Sequence, residues 1–556
     1  MFAWLFSNRA DTENGDVEER SSTTVESYAD TVGERASGDH APRPIGDASG
    51  SLTKYSEETG LFSTVLEVAY VHITPTVDPL KSFANTFSVY DEHGHVQVTQ
   101  NLDHGMQIQF NKKDHSMVWI LPMGDELDDE LVTLGFTFDD PITEDSFKLL
   151  IATKLYESSR QESFVKTVKA QDQDWVLGSH AQVDEDAEVE DPMEVVSESE
   201  EENDESSHPR TPSRVSKDSS NAKNSHLAIG MGLDRSYVVR GPHIGVFKHG
   251  RDGMNHLATF DQVKGSDGTV FSPTKIMLHD RDRKMLMLRP DRLNSVVELD
   301  LETQQVVQEY QAEDETTIRD LGPHSRYSQM TGTELITGLN KNSVFAMDPR
   351  LNSQNKKVKG FSYAANPHLS CVAATGNAQY AFGSDKGEIR MFSDVGKRAK
   401  TLLPGLGHAI TAIDTSEDGK WVLATTDRYI MLISAETSDG RTGFDVSLGK
   451  SKPVPIKLQL KPQDMVKYRI REVCFRKANF DMGEGKKEQW IVSATGNLLI
   501  TWNMKNVLRG RINDYTVKVY DEAVVADQFR YGHSDIVVAL PDDVKRAHFH
   551  PKKSNA

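Results

Sequence analysis

The sequence predicts a mainly-β chain: a β-propeller of seven blades, preceded by a small α+β domain and by acidic segments expected to be disordered. Three observations carry this. Short apolar runs recur in pairs joined by turn residues. The first pair lies at 236–248, where Tyr237-Val238-Val239 and Ile244-Gly245-Val246-Phe247 flank Arg240-Gly241-Pro242-His243. Matched outer-strand positions in successive pairs, Phe247, Val297, Phe345, Met391 and Leu432, lie about 40–50 residues apart, the period of propeller blades. A dense acidic, Ser-rich tract stands just before the first pair and marks where a large folded unit begins.

With 556 residues the chain is too long for one core, so two or more domains are expected. No apolar run approaches the roughly 20 residues that cross a bilayer. The opening Met1-Phe2-Ala3-Trp4-Leu5-Phe6 is too short for a signal peptide, and Phe2 excludes N-myristoylation. Cys371 and Cys474 both fall in strand-like runs and read as buried thiols of a reducing compartment, hence the cytoplasm with a nuclear pool. The net charge of −21 is uneven: residues 226–546 sum to roughly +5, leaving about −26 for the rest. A mildly basic platform is joined to an acidic arm.

Residues 1–50 are predicted to be disordered, because a stretch so poor in apolar residues cannot offset its ordering entropy. Residues 51–177 read as a small domain. Strand-like runs at 61–73, 86–90, 95–99, 106–110, 117–121 and 132–138 are separated by turns such as Glu92-His93-Gly94. From 143 to 169 the period becomes helical, with Phe147, Leu150, Ile151 and Leu155 on one face. Strands followed by one amphipathic helix is the order of a pleckstrin-homology-like sandwich, and of other small α+β folds. Phosphoinositide binding needs converging cations. Here Lys81, Lys112 and Lys113 stand beside Asp78 and Asp114, which favours protein docking or a structural role over membrane contact.

Residues 178–225 are predicted to be an acidic disordered linker. The run 184–205 holds no Lys or Arg, and repulsion keeps it extended. Ser197 and Ser199 sit among acidic residues and Thr211 precedes Pro212, so all three are candidate phosphorylation sites. Phosphates there would add charge to an arm able to contact the basic propeller in cis.

Residues 226–545 carry the propeller and 546–556 a flexible tail. The fullest blade signature is 382–392 with 408–414: strand, Asp385-Lys386-Gly387 turn, strand, loop, His408, strand. This is the grammar of WD-type repeats, with Phe392-Ser393 where Trp-Asp would stand. His408 and Asp414 are expected to share a structural hydrogen bond. Six blades are distinct, and runs at 512–520 and 535–540 supply a seventh that closes on the first. Each blade is covered only by its neighbours, so the ring must close. Arg235, Arg240 and Lys248, at the ends of the first hairpin, are expected to support closure. Residues 439–463 are either an inserted loop or a disguised strand.

These residues resemble the C-terminal domain of the vacuolar import and degradation protein 27 family. The resemblance rests on Asp234-Arg235-Ser236-Tyr237-Val238-Val239-Arg240-Gly241, Lys275-Ile276-Met277-Leu278-His279, Val297-Glu298-Leu299-Asp300, Lys359-Gly360-Phe361-Ser362 and Trp490-Ile491-Val492-Ser493-Ala494-Thr495-Gly496. It implies a WD40-like domain over about 227–541 and a pleckstrin-homology-like middle domain. Plant members are of the defective-embryo-and-meristems type. The family is linked to vesicle trafficking and to vacuolar import and degradation, and the resemblance implies no catalytic residues.

Chemistry-bearing motifs are sparse. Gly230-Met231-Gly232 and Gly405-Leu406-Gly407 are fragments of phosphate loops, and neither leads into a helix-like run. His93/His95 and His548/His550 have no carboxylate cluster beside them for metal ligation. Basic residues are mixed with acids and lack interleaved aromatics, against nucleic-acid binding. No cofactor, metal or catalytic residue is assigned. The reading is a non-enzymatic scaffold that binds other proteins through the propeller face. The alternatives are a peripheral membrane adaptor that binds phosphoinositides through the middle domain, and a propeller-type hydrolase. Propeller loops usually carry recognition, which makes Arg319, Asp320, Lys356, Lys357, Lys359, Lys397, Arg398 and Lys400 the candidate partner-binding residues.

Overall fold

Seven antiparallel strands and a helix make the first folded unit: β1 (Gly46–Ser56), β2 (Leu61–Pro75), β3 (Asn85–Asp91), β4 (Val96–Asn101), β5 (Gln109–Asn111), β6 (Ser116–Met123), β7 (Glu130–Phe138) and α1 (Pro141–Arg160). The computed structural model describes residues 44–184, 194–197 and 222–550, apart from 77, 79, 124–129, 251–252, 314–315, 334 and 451. The strand order is β4-β3-β2-β1-β7-β6-β5, with the two-residue β8 (Val183–Asp184) parallel to β5 at the edge. The core gathers Phe87, Trp119, Phe136 and Phe138, and α1 covers it with Phe147, Ile151 and Leu155.

This unit begins at Gly46, not at 51. The Gly- and Ser-rich composition of β1 hides its strand character. Gly50 pairs with Phe138, and a Cβ there would collide with the Thr137 carbonyl oxygen, so the close approach of β7 requires glycine. The helix begins at Pro141, two residues before the expected start. Asp140 caps it by accepting the Thr143 backbone N–H at 2.8 Å. It stops at Gln161, in the left-handed region (φ 53°), well short of 169. Two further helices follow, α2 (Phe164–Thr167) and α3 (Ala170–His180).

After β9 (Glu194–Ser197) the chain builds the propeller. Blade 1 is β10 (Asn224–Ile229), β11 (Arg235–Arg240), β12 (His243–His249) and β13 (Met254–Phe260). Blade 2 is β14 (Lys275–His279), β15 (Lys284–Leu288), β16 (Ser295–Asp300) and β17 (Gln305–Gln311). Blade 3 is β18 (Asp320–Pro323), β19 (Ile336–Leu339), β20 (Ser343–Met347) and β21 (Lys357–Ser362). Blade 4 is β22 (Leu369–Ala374), β23 (Tyr380–Ser384), β24 (Ile389–Phe392) and β25 (Thr401–Leu403). Blade 5 is β26 (Ala412–Thr415), β27 (Trp421–Thr425), β28 (Ile430–Ser434) and β29 (Ile456–Leu458), followed by α4 (Pro462–Lys467). Blade 6 is β30 (Asn479–Phe480), β31 (Trp490–Thr495), β32 (Leu498–Asn503) and β33 (Tyr515–Val519), with α5 (Met504–Val507) inserted. Blade 7 is β34 (Ala526–Phe529), β35 (Ile536–Ala539) and β36 (Val544–His550), completed by β9.

Each blade is a four-stranded antiparallel sheet, and an apolar cluster fills each of the seven boundaries between neighbours. Between blades 1 and 2, for example, Val239 and Val246 meet Leu278 and Met287. The period-matched positions Phe247, Val297, Phe345, Met391 and Leu432 are all buried, but they sit on the third strand of their blades, not the outermost. The outermost strands of blades 2 and 3, Gln305–Gln311 and Lys357–Ser362, are half-exposed and polar, so there apolar runs mark the strand inside them. Residues 439–463 contain both a loop and the short outer strand β29.

Closure draws on the acidic segment. β9 pairs antiparallel with β36, Ala547 opposite Ser197 and His550 opposite Glu194, as the fourth strand of blade 7. Residues 178–225 are therefore not simply a disordered linker, and 546–550 are strand, not tail. An edge strand is held by backbone hydrogen bonds, so the short Glu194-Val195-Val196-Ser197 run within the acidic tract can fill the place. The acidic arm touches the propeller in cis through its backbone. Across the blade 7–blade 1 seam, Ile229, Val238 and Phe247 pack on Val537, Ala539 and Val544. Arg240 reaches Asp542 at 2.7 Å, and Lys223 joins the same carboxylate. Arg530 bonds Asp234 at 2.9 Å. Replacing both Val195 and Val196 by proline, which removes whichever of the two N–H groups donates to β36, is expected to cost about 1–3 kcal/mol. The check is a lower midpoint in thermal unfolding of the whole chain.

Candidate functional site

Five of the eight candidate partner-binding residues are engaged inside the propeller. Arg319 and Asp320 do not form a charged pair with each other. Arg319 forks onto Asp385 at 2.7 and 2.9 Å and donates to the Leu369 carbonyl at 2.9 Å. Asp320, the first residue of β18, meets the Lys275 ammonium at 2.7 Å and accepts the Val372 N–H at 3.2 Å. Lys356 is buried, with its ammonium on the Leu351 carbonyl and over the Tyr310 ring. Lys357 pairs with Glu313 at 2.7 Å and Lys359 with Asp394 at 2.6 Å. The other three, Lys397, Arg398 and Lys400, project from the β24–β25 connection. They are exposed, with no carboxylate within 4 Å among the described residues. Ser197 lies in β9, while Ser199 and Thr211 fall outside the described residues.

His408 and Asp414 do not meet as expected. Asp414 binds Arg326 at 2.7 Å and accepts the Phe480 N–H at 3.0 Å. Of the two cysteines, Cys371 is buried, which pushes its thiol up to about 12, while Cys474 is exposed.

The first folded unit is docked on the rims of blades 4 to 6. Tyr156, Phe164, Val168, Trp175 and Val176 share one core with Ala381, Leu403, Leu406, Ile433 and Phe444. Trp175 Nε1 donates to the Pro404 carbonyl at 3.1 Å, and Arg160 to the Lys386 carbonyl at 3.0 Å. Asp172 and Lys452 form an ion pair. Gln109 donates to the Leu460 carbonyl at 2.9 Å and Gln459 to the Ile108 carbonyl at 3.3 Å. Ile120 of β6 inserts among Leu423, Leu432 and Leu458.

At the centre of this contact lie three histidines. Asp103 caps the short turn that carries His104, accepting the Gly105 N–H at 2.8 Å. The His104 ring stands 4.6 Å from that of His408 and 5.1 Å from that of His180, with Tyr429 5.4 Å from His408. His104 Nε2 and His408 Nδ1 are buried without a hydrogen-bond partner. Burial pushes His180 down to about 3 and Lys457, over the Tyr429 ring, down to about 8. Burial also holds His104 well below the usual histidine range. Among the described residues no group of three or more His, Cys, Asp or Glu is arranged to hold a metal ion. No described helix is long and apolar enough to cross a membrane.

Residues 222–554 match the family model of the VID27 C-terminal WD40-like domain. The chain belongs to the VID27 family. It is 38% identical over 344 residues to Vacuolar import and degradation protein 27 of Schizosaccharomyces pombe, and 34% identical over 337 residues to the protein of that name from Saccharomyces cerevisiae. These alignments cover 60% and 58% of this chain and 43% of each relative, so the chain spans less than half the length of the curated relatives it matches. In this VID27-family chain the matched region starts at 222. The closing strand β9 and the docked unit both lie outside it.

The histidine cluster escaped sequence reasoning because its members come from three separate segments. Asp103-His104-Gly105 carried a local capping signal, but nothing in the sequence pairs it with His180 or His408.

Proposed function

We propose that the chain is a non-enzymatic interaction scaffold whose docking point is the β24–β25 connection of blade 4. The observation that supports this is the trio Lys397, Arg398 and Lys400, exposed and without an ionic partner among the described residues, on a propeller whose neighbouring cations are neutralised internally. The partner that suits it is an acidic protein segment. The relatives' name, vacuolar import and degradation protein 27, supports placing this scaffold in that process.

The test is affinity capture by the full chain and by the triple variant Lys397→Ala/Arg398→Ala/Lys400→Ala. The variant is expected to lose about tenfold in affinity for a partner retained by the parent, and the parent's binding to weaken with salt. Equal capture by both proteins would refute the docking point. Pelleting of the chain with phosphoinositide vesicles would move the assignment to a membrane adaptor.

A further inference from the structure

The first strands of all seven blades line a central channel that encloses a cavity of about 370 Å³. This is the scale of a small-molecule pocket. Its charges are of two kinds. Lys275 and Arg326 are balanced, each by one carboxylate at 2.7 Å: Asp320 for the lysine and Asp414 for the arginine. Arg476 and Lys477, just before β30, line the same cavity and have no carboxylate within 4 Å among the described residues. Their side chains are open to the lumen. Partial desolvation by the channel wall lowers the Lys477 ammonium below the ordinary lysine value.

The dipeptide is held rigidly. The Arg476 N–H donates to the Ala494 carbonyl at 2.8 Å, the Ser493 hydroxyl donates to the Arg476 carbonyl at 2.7 Å, and the Ala478 N–H donates to Thr425 Oγ1 at 2.9 Å. Across from it, Asp527 on β34 is 6% exposed, and both of its carboxylate oxygens are buried without a hydrogen-bond partner. Burial raises this carboxyl to about 7, so at neutral pH its protonated form is available as an O–H donor. Two cations without a contact carboxylate and a buried carboxyl without a hydrogen bond line one cavity; Asp414 and Asp320 act on Lys477, and the two cations on Asp527, only through space. Each is costly alone and is relieved by a ligand that brings negative oxygens.

We propose that the channel binds a small soluble oxyanion of the phosphate-ester or diphosphate type, with Arg476 and Lys477 taking its charge and Asp527 donating to it from the β34 side. The planar fork of Arg476 and the point charge of Lys477 together suit a phosphoryl group with oxygens on several sides. The cavity admits a small molecule and not a folded partner.

Inorganic pyrophosphate is the probe, titrated into the full chain by calorimetry at constant ionic strength. Saturable binding at one site per chain is expected. Arg476→Ala and Lys477→Ala are each expected to weaken it about tenfold, the effect of losing one charge-assisted hydrogen bond. Asp527→Asn keeps a donor and should still bind. The surface variant Lys397→Ala/Arg398→Ala/Lys400→Ala should bind as the parent does. A second readout needs no variant: pyrophosphate should protect Lys477 of the parent chain from acetylation, measured by peptide mass spectrometry. The proposal is overturned by absence of saturable heat at millimolar probe, by channel variants that bind like the parent, by loss of binding in the surface variant, or by full labelling of Lys477 under saturating probe.

Discussion

Replacing Trp175 by alanine is expected to release the first folded unit from the propeller, at a cost of about 3–5 kcal/mol. Trp175 is 1% exposed and lies in the core shared by α3 and blades 4 and 5. Its truncation removes that packing and the indole bond to the Pro404 carbonyl. Hydrogen exchange should rise across α1 to α3 and along β25, while blades 1, 2 and 7 keep their protection, because their boundaries are filled by other clusters. Lys452→Ala, which removes only the ion pair to Asp172, should cost less than the tryptophan change. Unchanged exchange in α3 of the Trp175→Ala chain would show that the unit is held in some other way.

This docking changes how the proposed scaffold would work. An acidic linker alone would leave the first unit free to sample a wide volume. Helix α3 instead fixes it on blades 4 and 5, so surfaces on the unit and on the blade 4 rim are presented at a set distance. A partner that spans both would meet a rigid platform, without the ordering cost of a flexible pair.

The propeller was legible in the sequence because its signal repeats. The second and third strands of the blades are buried on both faces and read as short apolar runs, from Tyr237-Val238-Val239 to Ile536-Val537-Val538. Elements held by backbone pairing, or by one or two large side chains, were not legible. β1 is strand because Gly50 admits β7, not because its residues favour strand. β9, Glu194-Val195-Val196-Ser197, is a four-residue run inside an acidic tract and pairs at the edge of blade 7. In α3, Gln171-Asp172-Gln173-Asp174 hides the helix that Trp175 and Val176 anchor.

The candidate docking residues were legible as cations but not as free cations. Arg319 meets Asp385 across 66 residues of sequence, and Lys359 meets Asp394 across 35. A charge-balance reading cannot see such pairs. The channel site hides for the same reason: Arg476-Lys477 and Asp527 look like ordinary strand-end charges until the ring closes around them.

Acidification from pH 7.5 to 5 is expected to undock the first unit through its three interface histidines. A free histidine takes up its proton near 6.5. Docked His180 does so only near 3, and docked His104 well below its usual value, chiefly because both rings are buried. Between those limits the undocked state binds more protons, so docking weakens as the pH falls. Above about 6.5 the rings are neutral in either state and docking is at full strength. At pH 5 keeping the His180 ring neutral costs about 2 kcal/mol, and the buried His104 ring opposes docking in the same direction. The surrounding charges mostly act in the same direction. Lys457 disfavours protonation of all three rings, and Arg428 that of His104 and His408. Asp427 opposes this at His408, and the Leu406 backbone does so at His180. Small-angle scattering and hydrogen exchange of α3 at the two pH values should show an expanded, less protected chain at pH 5. In the double variant His104→Phe/His180→Phe the rings stay aromatic and cannot charge, so docking should persist at pH 5. An identical pH response in parent and double variant would place the acid sensitivity outside this cluster.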